Sequence, residues 1–269
     1  MNRKLRIGLK VLAWLFVLAW AIFGLSFAGK VYKGKRCIKL EVRVLDSAKL
    51  NFVRAIDVYR TIVKSNYSPI GQSLSSINTN RIEQQIYQMA AVRDVQAFKT
   101  AKGEVIVEIT QRQPVLRIFN ARGQTYYIDD SGKILPYSSG FAANTLVANG
   151  NVVEPFKVVP NLDITAFTDS TKEGPKNFIH KLYEFAMYVS ADKFWNAQIE
   201  QVYVRNRNNI ELIPLVGPHI IVLGSLDNYE VKLKKLKLFY EKALPAEGWN
   251  KYTVINLKFK NQIVCTKYQ

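Results

Sequence analysis

Alternating apolar and polar residues near the start of the chain predict a strand followed by a helix. Ile38–Asp46 alternates in the way expected of a strand with one buried face. Asn51–Ser65 has helical periodicity instead, and Ile56, Tyr59 and Val63 are spaced to share one face. We therefore expect these three side chains to form the apolar stripe of the first helix.

A second helix is predicted in the stretch NRIEQQIYQM. Its apolar stripe consists of Ile82, Ile86 and Met89, at positions i, i+4 and i+7. Asn80 is placed to cap this helix, and Glu83, three residues later, is placed to reach back to the cap.

Two strand-like runs follow, Val92–Lys99 and Glu104–Gln111, with a predicted turn at Lys102-Gly103 between them. The order β-α-α-β-β predicts a compact α+β module. Immediately afterwards, Pro114 begins a second apolar run. Because proline cannot donate to a sheet ladder and restricts the residue before it, we place a joint between two domains at this point.

The pattern beyond Pro114 predicts a mainly antiparallel sheet with flanking helices. The predicted strands are residues 114–119, 124–128, a short strand ending at 135, then 145–149, 197–205, 209–216, 219–224, 252–259 and 262–268. Lys176–Ser190 is predicted to be a helix whose buried stripe is Phe178, Leu182, Phe185 and Val189. A further helix is predicted from Leu226 to Leu244, where Pro245 ends it.

The uncharged segment Val11–Gly29 has the length of a membrane anchor. Nineteen residues at the helical rise span about 28 Å, close to the thickness of a hydrocarbon core. A cleavable signal peptide is the alternative, since Ser26-Phe27-Ala28 resembles a cleavage site, but its apolar region would normally be shorter. The basic residues are divided equally between the two flanks and do not determine orientation. We expect the short tail inside and the large domain across the membrane.

The net charge of +17 is concentrated around this segment. Residues 1–36 contain eight basic residues and no acid, which leaves 17 − 8 = +9 for the rest of the chain. Basic residues on both sides of one apolar segment are typical of a membrane protein. We therefore expect no nucleic-acid partner.

Motifs for catalysis are lacking. The two histidines, His180 and His219, have no second histidine, cysteine or acid at metal-ligand spacing, and nucleophile elbows and phosphate-binding loops are absent. Asp129-Asp130 precedes Ser131-Gly132 and is typical of a turn rather than of a catalytic pair. The sequence thus predicts no enzyme, cofactor, metal or small-molecule substrate.

Two features remain open at this point. The lysine-rich run Lys232–Lys242 places Leu233, Leu236 and Tyr240 on one helical face, with Lys232, Lys235 and Lys242 directed elsewhere. These lysines form either a solvated face or a surface for an anionic membrane or acidic partner. Cys37 and Cys265 are either free thiols or a disulfide that joins the two ends of the exported part.

The anchor, the β-α-α-β-β module, the proline joint and the sheet together resemble the FtsQ/DivIB family of bacterial division proteins. The first module looks like a POTRA domain, and VEITQRQPVLRI is similar to the strand-to-hinge pattern of that family. GQTYYIDDSGKILP resembles the opening of its second domain. Later similar landmarks are LVANG, IEQVYV, IIVLG with KLKKLKLFY, and INLKFKNQIV. Ala91-Val92 departs from the usual aromatic-Val pair, and the short end after the last strand looks like the Gram-negative branch.

The resemblance implies three segments and a scaffold function. These are a tail, anchor and basic stalk at 1–36, a POTRA-like domain at 37–112, and a β domain with a C-terminal partner-binding edge at 113–269. The protein is expected in the inner membrane as a single-pass protein with its N-terminus inside and its bulk in the periplasm, at the division septum. It is expected to recruit FtsB- and FtsL-like bitopic proteins and to link early division proteins to septal wall synthesis.

The resemblance also implies where the partner binds. In the family, the partner adds a strand to the sheet near the C-terminus, as an exposed edge permits. Lys258 and Phe259 match the basic-aromatic pair of the penultimate strand. Phe259 is the expected anchor of the interface, unless it belongs to the core. The remaining expected contacts lie on the matching last strand: Ile263, Val264, Cys265 and Lys267.

Two other functions compete with this one. A POTRA-bearing export or assembly protein would usually carry several such domains ahead of a membrane barrel. An anchored cell-wall hydrolase would need carboxylates that the sequence pattern does not reveal.

Overall fold

The computed structural model describes residues 12, 14–23, 35–166 and 178–268. Contacts between residues divide the chain into two compact units. Unit 1 consists of residues 1–49 and 53–111, and unit 2 consists of residues 50–52 and 112–269.

Unit 1 confirms the predicted β-α-α-β-β order. Its three-stranded sheet has the order β1-β3-β2, in which β1 is parallel and β2 antiparallel to the central β3. The elements are β1 Lys39–Val44, α1 Ala55–Lys64, α2 Thr79–Tyr87, β2 Val92–Lys99 and β3 Glu104–Gln111.

Helix α1 buries a different face from the predicted one. Val58 and Ile62 are fully buried, whereas Ile56 is 48% exposed, Val63 is 37% exposed and Tyr59 is half-buried. The helix therefore carries two apolar stripes, and periodicity alone identified the outer one. Packing against the rest of the unit decides which stripe becomes core.

The predicted stripe of α2 is confirmed for two of its three residues, but the predicted cap is wrong. Ile82 and Ile86 are fully buried, whereas Met89 lies beyond the helix end at Tyr87 and is half-buried. The residue that caps the helix is Asn78, whose side chain accepts a hydrogen bond from the backbone N–H of Arg81.

The predicted capping contact of Glu83 is likewise wrong. Its Oε1 accepts a 2.7 Å hydrogen bond from the backbone N–H of Ala97 in β2. Glu83 thus joins α2 to the sheet and does not reach back to Asn80.

Unit 2 contains a nine-stranded sheet with the order β12-β11-β10-β9-β8-β7-β4-β5-β6. Its strands are β4 Pro114–Phe119, β5 Thr125–Asp129, β6 Ile134–Pro136, β7 Leu146–Gly150, β8 Ile199–Asn206, β9 Asn209–Pro214, β10 Ile220–Gly224, β11 Tyr252–Asn256 and β12 Val264–Lys267. Its helices are α3 Phe178–Ala191, α4 Lys193–Gln198, α5 Tyr229–Lys242 and α6 Leu244–Glu247. A 3-10 turn spans Ile164–Ala166.

This sheet is mixed rather than mainly antiparallel. Three neighbouring pairs are parallel, namely β4–β7, β7–β8 and β10–β11, and the other five are antiparallel. The chain passes through α3 and α4 between β7 and β8, and through α5 and α6 between β10 and β11. A crossover of this kind returns the chain to the same end of the sheet and makes the two strands parallel.

The core of unit 2 joins its helices to its sheet. The predicted stripes are confirmed in both long helices: Phe178, Leu182, Phe185 and Val189 in α3, and Leu233, Leu236 and Tyr240 in α5 are buried in one cluster. The short helix α4 was not predicted. Asp192 caps it by accepting from the backbone N–H groups of Phe194 and Trp195, and the Trp195 side chain is buried in the core.

Of the predicted anchor Val11–Gly29, the structure describes residues 12 and 14–23, which are helical. Ser26-Phe27-Ala28 lies outside the described residues. Among the helices that the structure describes, none has both the length and the apolar character needed to cross a bilayer.

Candidate partner-binding edge

Strands β11 and β12 form one border of the nine-stranded sheet. On one side β11 lies parallel to β10, and on the other it pairs with β12 in antiparallel register. Within the described residues, β12 pairs with no strand except β11. One side of β12 is therefore available for a further strand.

The backbone groups that face outward on β12 follow from two hydrogen bonds. The Tyr268 N–H donates to the Lys251 carbonyl at 3.1 Å, and the Thr266 carbonyl accepts from the Thr253 hydroxyl at 3.3 Å. Residues 266 and 268 thus face β11. Since backbone groups alternate sides along a strand, those of Cys265 and Lys267 point away from the sheet.

The opposite border of the sheet is covered. The N–H of Ile134 in β6 donates to the Leu162 carbonyl at 2.9 Å, and the Ile134 carbonyl accepts from the Asn161 N–H at 2.9 Å. Because these backbone groups already have partners, β6 does not offer the same opportunity for strand addition.

The structure brings the six predicted partner-binding residues together, but not all on strands. Val264, Cys265 and Lys267 lie on β12, and Ile263 immediately precedes it. Lys258 and Phe259 lie in the connection between the strands, because β11 ends at Asn256 and not at residue 259 as predicted. The Asn256 side chain accepts from the Lys258 N–H at 3.0 Å, a local turn that competes with continuation of the strand.

This connection is held against helix α5 and strand β10. The Lys235 ammonium group donates to the carbonyls of Phe259, at 2.6 Å, and Gln262, at 3.2 Å. The Lys258 side chain lies over Gly224, where an added Cβ would come within 2.9 Å of the Lys258 Cγ. The backbone that presents Phe259 is thus held in place.

Phe259 itself is 46% exposed, so the alternative that it belongs to the core is wrong. It borders a groove of about 390 Å³, which is also lined by Val231, Leu257, Lys232, Lys258 and Lys260. Its neighbour Ile263 is partly buried and packs against the core. The candidate edge therefore combines one exposed aromatic ring, several ammonium groups and the outward-facing backbone groups of β12.

Comparison with known families decides what kind of chain this is. Residues 113–266 match a family model described as FtsQ/DivIB, C-terminal related, and residues 35–110 match one described as a POTRA-like domain. The first match covers more than half of the chain. The chain belongs to the FtsQ/DivIB family. No curated protein matches it in a sequence search.

The family assignment confirms the resemblance drawn from the motifs and associates this chain with cell division. FtsQ/DivIB and POTRA-like domains are generally non-enzymatic.

The prediction that His180 has no acid at ligand spacing is wrong. Glu184 lies one helical turn further along, and its carboxylate is 3.6 Å from the His180 Nε2. Among the described residues, no group of three or more potential metal ligands is present.

The turn predicted at Asp129 is confirmed in this FtsQ/DivIB chain. The Asp129 Oδ1 accepts from the backbone N–H groups of Ser131 and Lys133 at 2.9 Å and 2.7 Å. Its Oδ2 accepts a 2.9 Å hydrogen bond from the guanidinium of Arg112, and both side chains of this ion pair are buried. No local pattern indicated the ion pair, because its partners stand 17 residues apart, at the two ends of the β4–β5 hairpin.

Partial burial shifts the pKa of three groups near the candidate edge. Burial lowers the pKa of Lys232 and of Lys235 below the ordinary lysine value. Burial also raises the pKa of the Cys265 thiol, which is therefore not an activated nucleophile.

Cys37 and Cys265 are both free thiols, so the alternative of a disulfide between them is wrong.

A pH dependence of stability is expected from His219, which immediately precedes β10. Its Nε2 lies 2.6 Å from the Tyr240 hydroxyl in α5, and within the described part of the chain its Nδ1 has no hydrogen-bond partner. Burial lowers the pKa of His219 below the usual 6.5. Below pH 6.5 the unfolded chain therefore gains a proton that the folded chain does not bind.

Above pH 6.5, His219 should therefore not reduce the free energy of unfolding. As the pH falls from 6.5 towards the folded-state pKa of His219, the free energy of unfolding should decrease by at most about 1.4 kcal/mol per pH unit. Urea denaturation of wild type and His219→Gln between pH 5 and pH 8 measures this dependence. A pH profile with the same slope in both proteins would show that His219 is not responsible.

Proposed function

We propose that this protein is a membrane-anchored scaffold of the division machinery. In this proposal it recruits small bitopic coiled-coil proteins of the FtsB and FtsL type and links early division proteins to septal wall synthesis. Val11–Gly29 is the proposed inner-membrane anchor, with the N-terminus inside and the bulk in the periplasm at the septum. Membership in the FtsQ/DivIB family and the flanking basic residues support this proposal.

The observation that carries the proposed mechanism is that β12, among the strands that the structure describes, has a neighbour on one side only. An incoming segment of the partner would hydrogen-bond to the outward backbone groups of Cys265 and Lys267, and so extend the sheet by one strand. The exposed ring of Phe259 lies in the connection that leads into this strand. Aromatic side chains of this kind commonly contribute a large part of the binding energy of an interface.

A proline at position 267 tests this mechanism. Lys267→Pro removes an outward N–H while leaving the pairing between β11 and β12 intact, since that N–H does not face β11. We expect the affinity for the periplasmic segment of the cognate FtsB-like protein to fall at least about tenfold, as loss of a hydrogen bond and an obstructed edge imply. Calorimetric titration of the purified protein measures the change.

Lys267→Ala is the matched control, because it removes the same charge and keeps the N–H. Its affinity should change by less than about threefold. Equal losses in both variants would assign the effect to the lysine side chain and count against strand addition. In the same assay, Phe259→Ala should weaken binding, and unchanged binding would remove Phe259 from the interface.

A further inference from the structure

The outer stripe of helix α1 has no role in the proposed partner edge. It consists of Ile56, Tyr59 and Val63, at i, i+3 and i+7; Ile56 and Val63 are exposed, and Tyr59, which borders the buried stripe of Val58 and Ile62, is half-buried. Single exposed apolar residues need no explanation; here two of them share one helical face with a half-buried tyrosine and form a small contiguous apolar surface.

Two cations lie beside this stripe. Arg60 follows Ile56 by one helical turn, and Lys64 follows Arg60 by another, so they form a basic row along its flank. Both are exposed, and in the described ranges neither forms an ion pair, whereas Arg54 is paired with Asp57. An apolar stripe with a tyrosine and a basic flank is the composition of a helix that lies on an anionic membrane surface.

The size of the stripe favours a membrane over a protein partner. The ten residues of α1 form a helix about 15 Å long. A stable protein interface requires roughly 800 Å² from each partner, far more than three side chains on two turns provide. A weak contact suffices, however, where a tether keeps the two surfaces together.

Such a tether is present if the anchor proposed above is correct, and the inference rests on that part of the proposed function. Residues 24–34 separate the apolar helical residues 14–23 from the described body of unit 1, which begins at residue 35. Eleven residues can span at most about 40 Å. Unit 1 would therefore remain within reach of the bilayer at all times.

We infer that the outer stripe of α1 docks on the anionic surface of the membrane, with Ile56, Tyr59 and Val63 at the level of the lipid headgroups and Arg60 and Lys64 against their phosphates. Docking of this kind holds unit 1 in one orientation on the bilayer.

The test uses the full chain in lipid nanodiscs, with Cys37 and Cys265 replaced by alanine. A fluorophore is attached at Val63→Cys or, as a matched control, at Phe98→Cys. Phe98 is 40% exposed in the same unit, on the face of the sheet that the helices leave open. Headgroup spin labels then report how close each fluorophore lies to the lipid.

In discs containing phosphatidylglycerol, we expect quenching at position 63 to be at least twofold stronger than at position 98. The difference should disappear when Arg60→Gln and Lys64→Gln are combined, and it should shrink in phosphatidylcholine discs. Equal quenching at the two positions in anionic discs would overturn the docking and leave the anchor intact. Quenching at position 63 could instead be independent of the lipid and fall only when a partner segment is added. That result would assign the stripe to the partner and overturn the inference.

Failure of the proposed anchor would be recognised separately. A full-length chain that does not co-purify with discs would overturn the anchor and this inference with it. A chain that is in the discs but shows no preference for position 63 would overturn only the inference.

Discussion

Replacing Arg112 with alanine is expected to lower the free energy of unfolding of unit 2 by about 3–5 kcal/mol. The Asp129 carboxylate would then remain buried without the Arg112 guanidinium, which now lies 2.9 Å away. Burial of an unpaired charge costs far more than an intact ion pair contributes. Asp129 also organises the turn after β5, so the loss would extend to the backbone of that turn.

Urea denaturation of the chain lacking residues 1–34 measures this effect. Its two remaining tryptophans, Trp195 and Trp249, both lie in unit 2. Lys181→Ala is the matched control, because Lys181 pairs with Asp227 and the two side chains are 42% and 63% exposed, and it should leave the unfolding midpoint nearly unchanged. If the two variants unfolded at the same urea concentration, burial of the Arg112–Asp129 pair would not matter for stability.

The second large effect is expected at Gly150, the last residue of β7. Its φ is +89°, and an added Cβ would lie 2.5 Å from the carbonyl oxygen of Val204 in β8. Gly150→Ala should therefore cost about 1–3 kcal/mol through backbone strain alone, and the collision with a backbone atom should add to this. Since β7 and β8 are parallel neighbours in the middle of the sheet, the damage affects the whole of unit 2.

Gly140→Ala provides the control within the same unit. Gly140 has no positive φ, and an added Cβ would meet no atom within 4 Å. Thermal unfolding followed by circular dichroism should show a lower midpoint for Gly150→Ala and a normal one for Gly140→Ala. A normal midpoint for Gly150→Ala would mean that the two strands can separate to admit a methyl group at little cost.

Much of the candidate edge was predictable, but its backbone was not. The resemblance selected six residues close to one border of the sheet, and the structure does bring them together there. The resemblance placed Phe259 on a strand. In the structure, the Asn256 turn and the hydrogen bonds of Lys235 hold Phe259 in the connection between β11 and β12. The hydrogen bonds of Lys235 join residues more than twenty positions apart, and no local pattern contains that information.

The sequence by itself determined the features that depend on neighbouring residues. The ends of β2 and β3, the stripes of α3 and α5 and the turn at Asp129 all follow from periodicity or from short-range hydrogen bonding. Only the tertiary structure decided which stripe of α1 is buried, which strands lie side by side, that Arg112 meets Asp129, and that β12 pairs on one side only among the described strands. These features depend on the free energy of contacts between residues far apart in the chain, which local patterns do not specify.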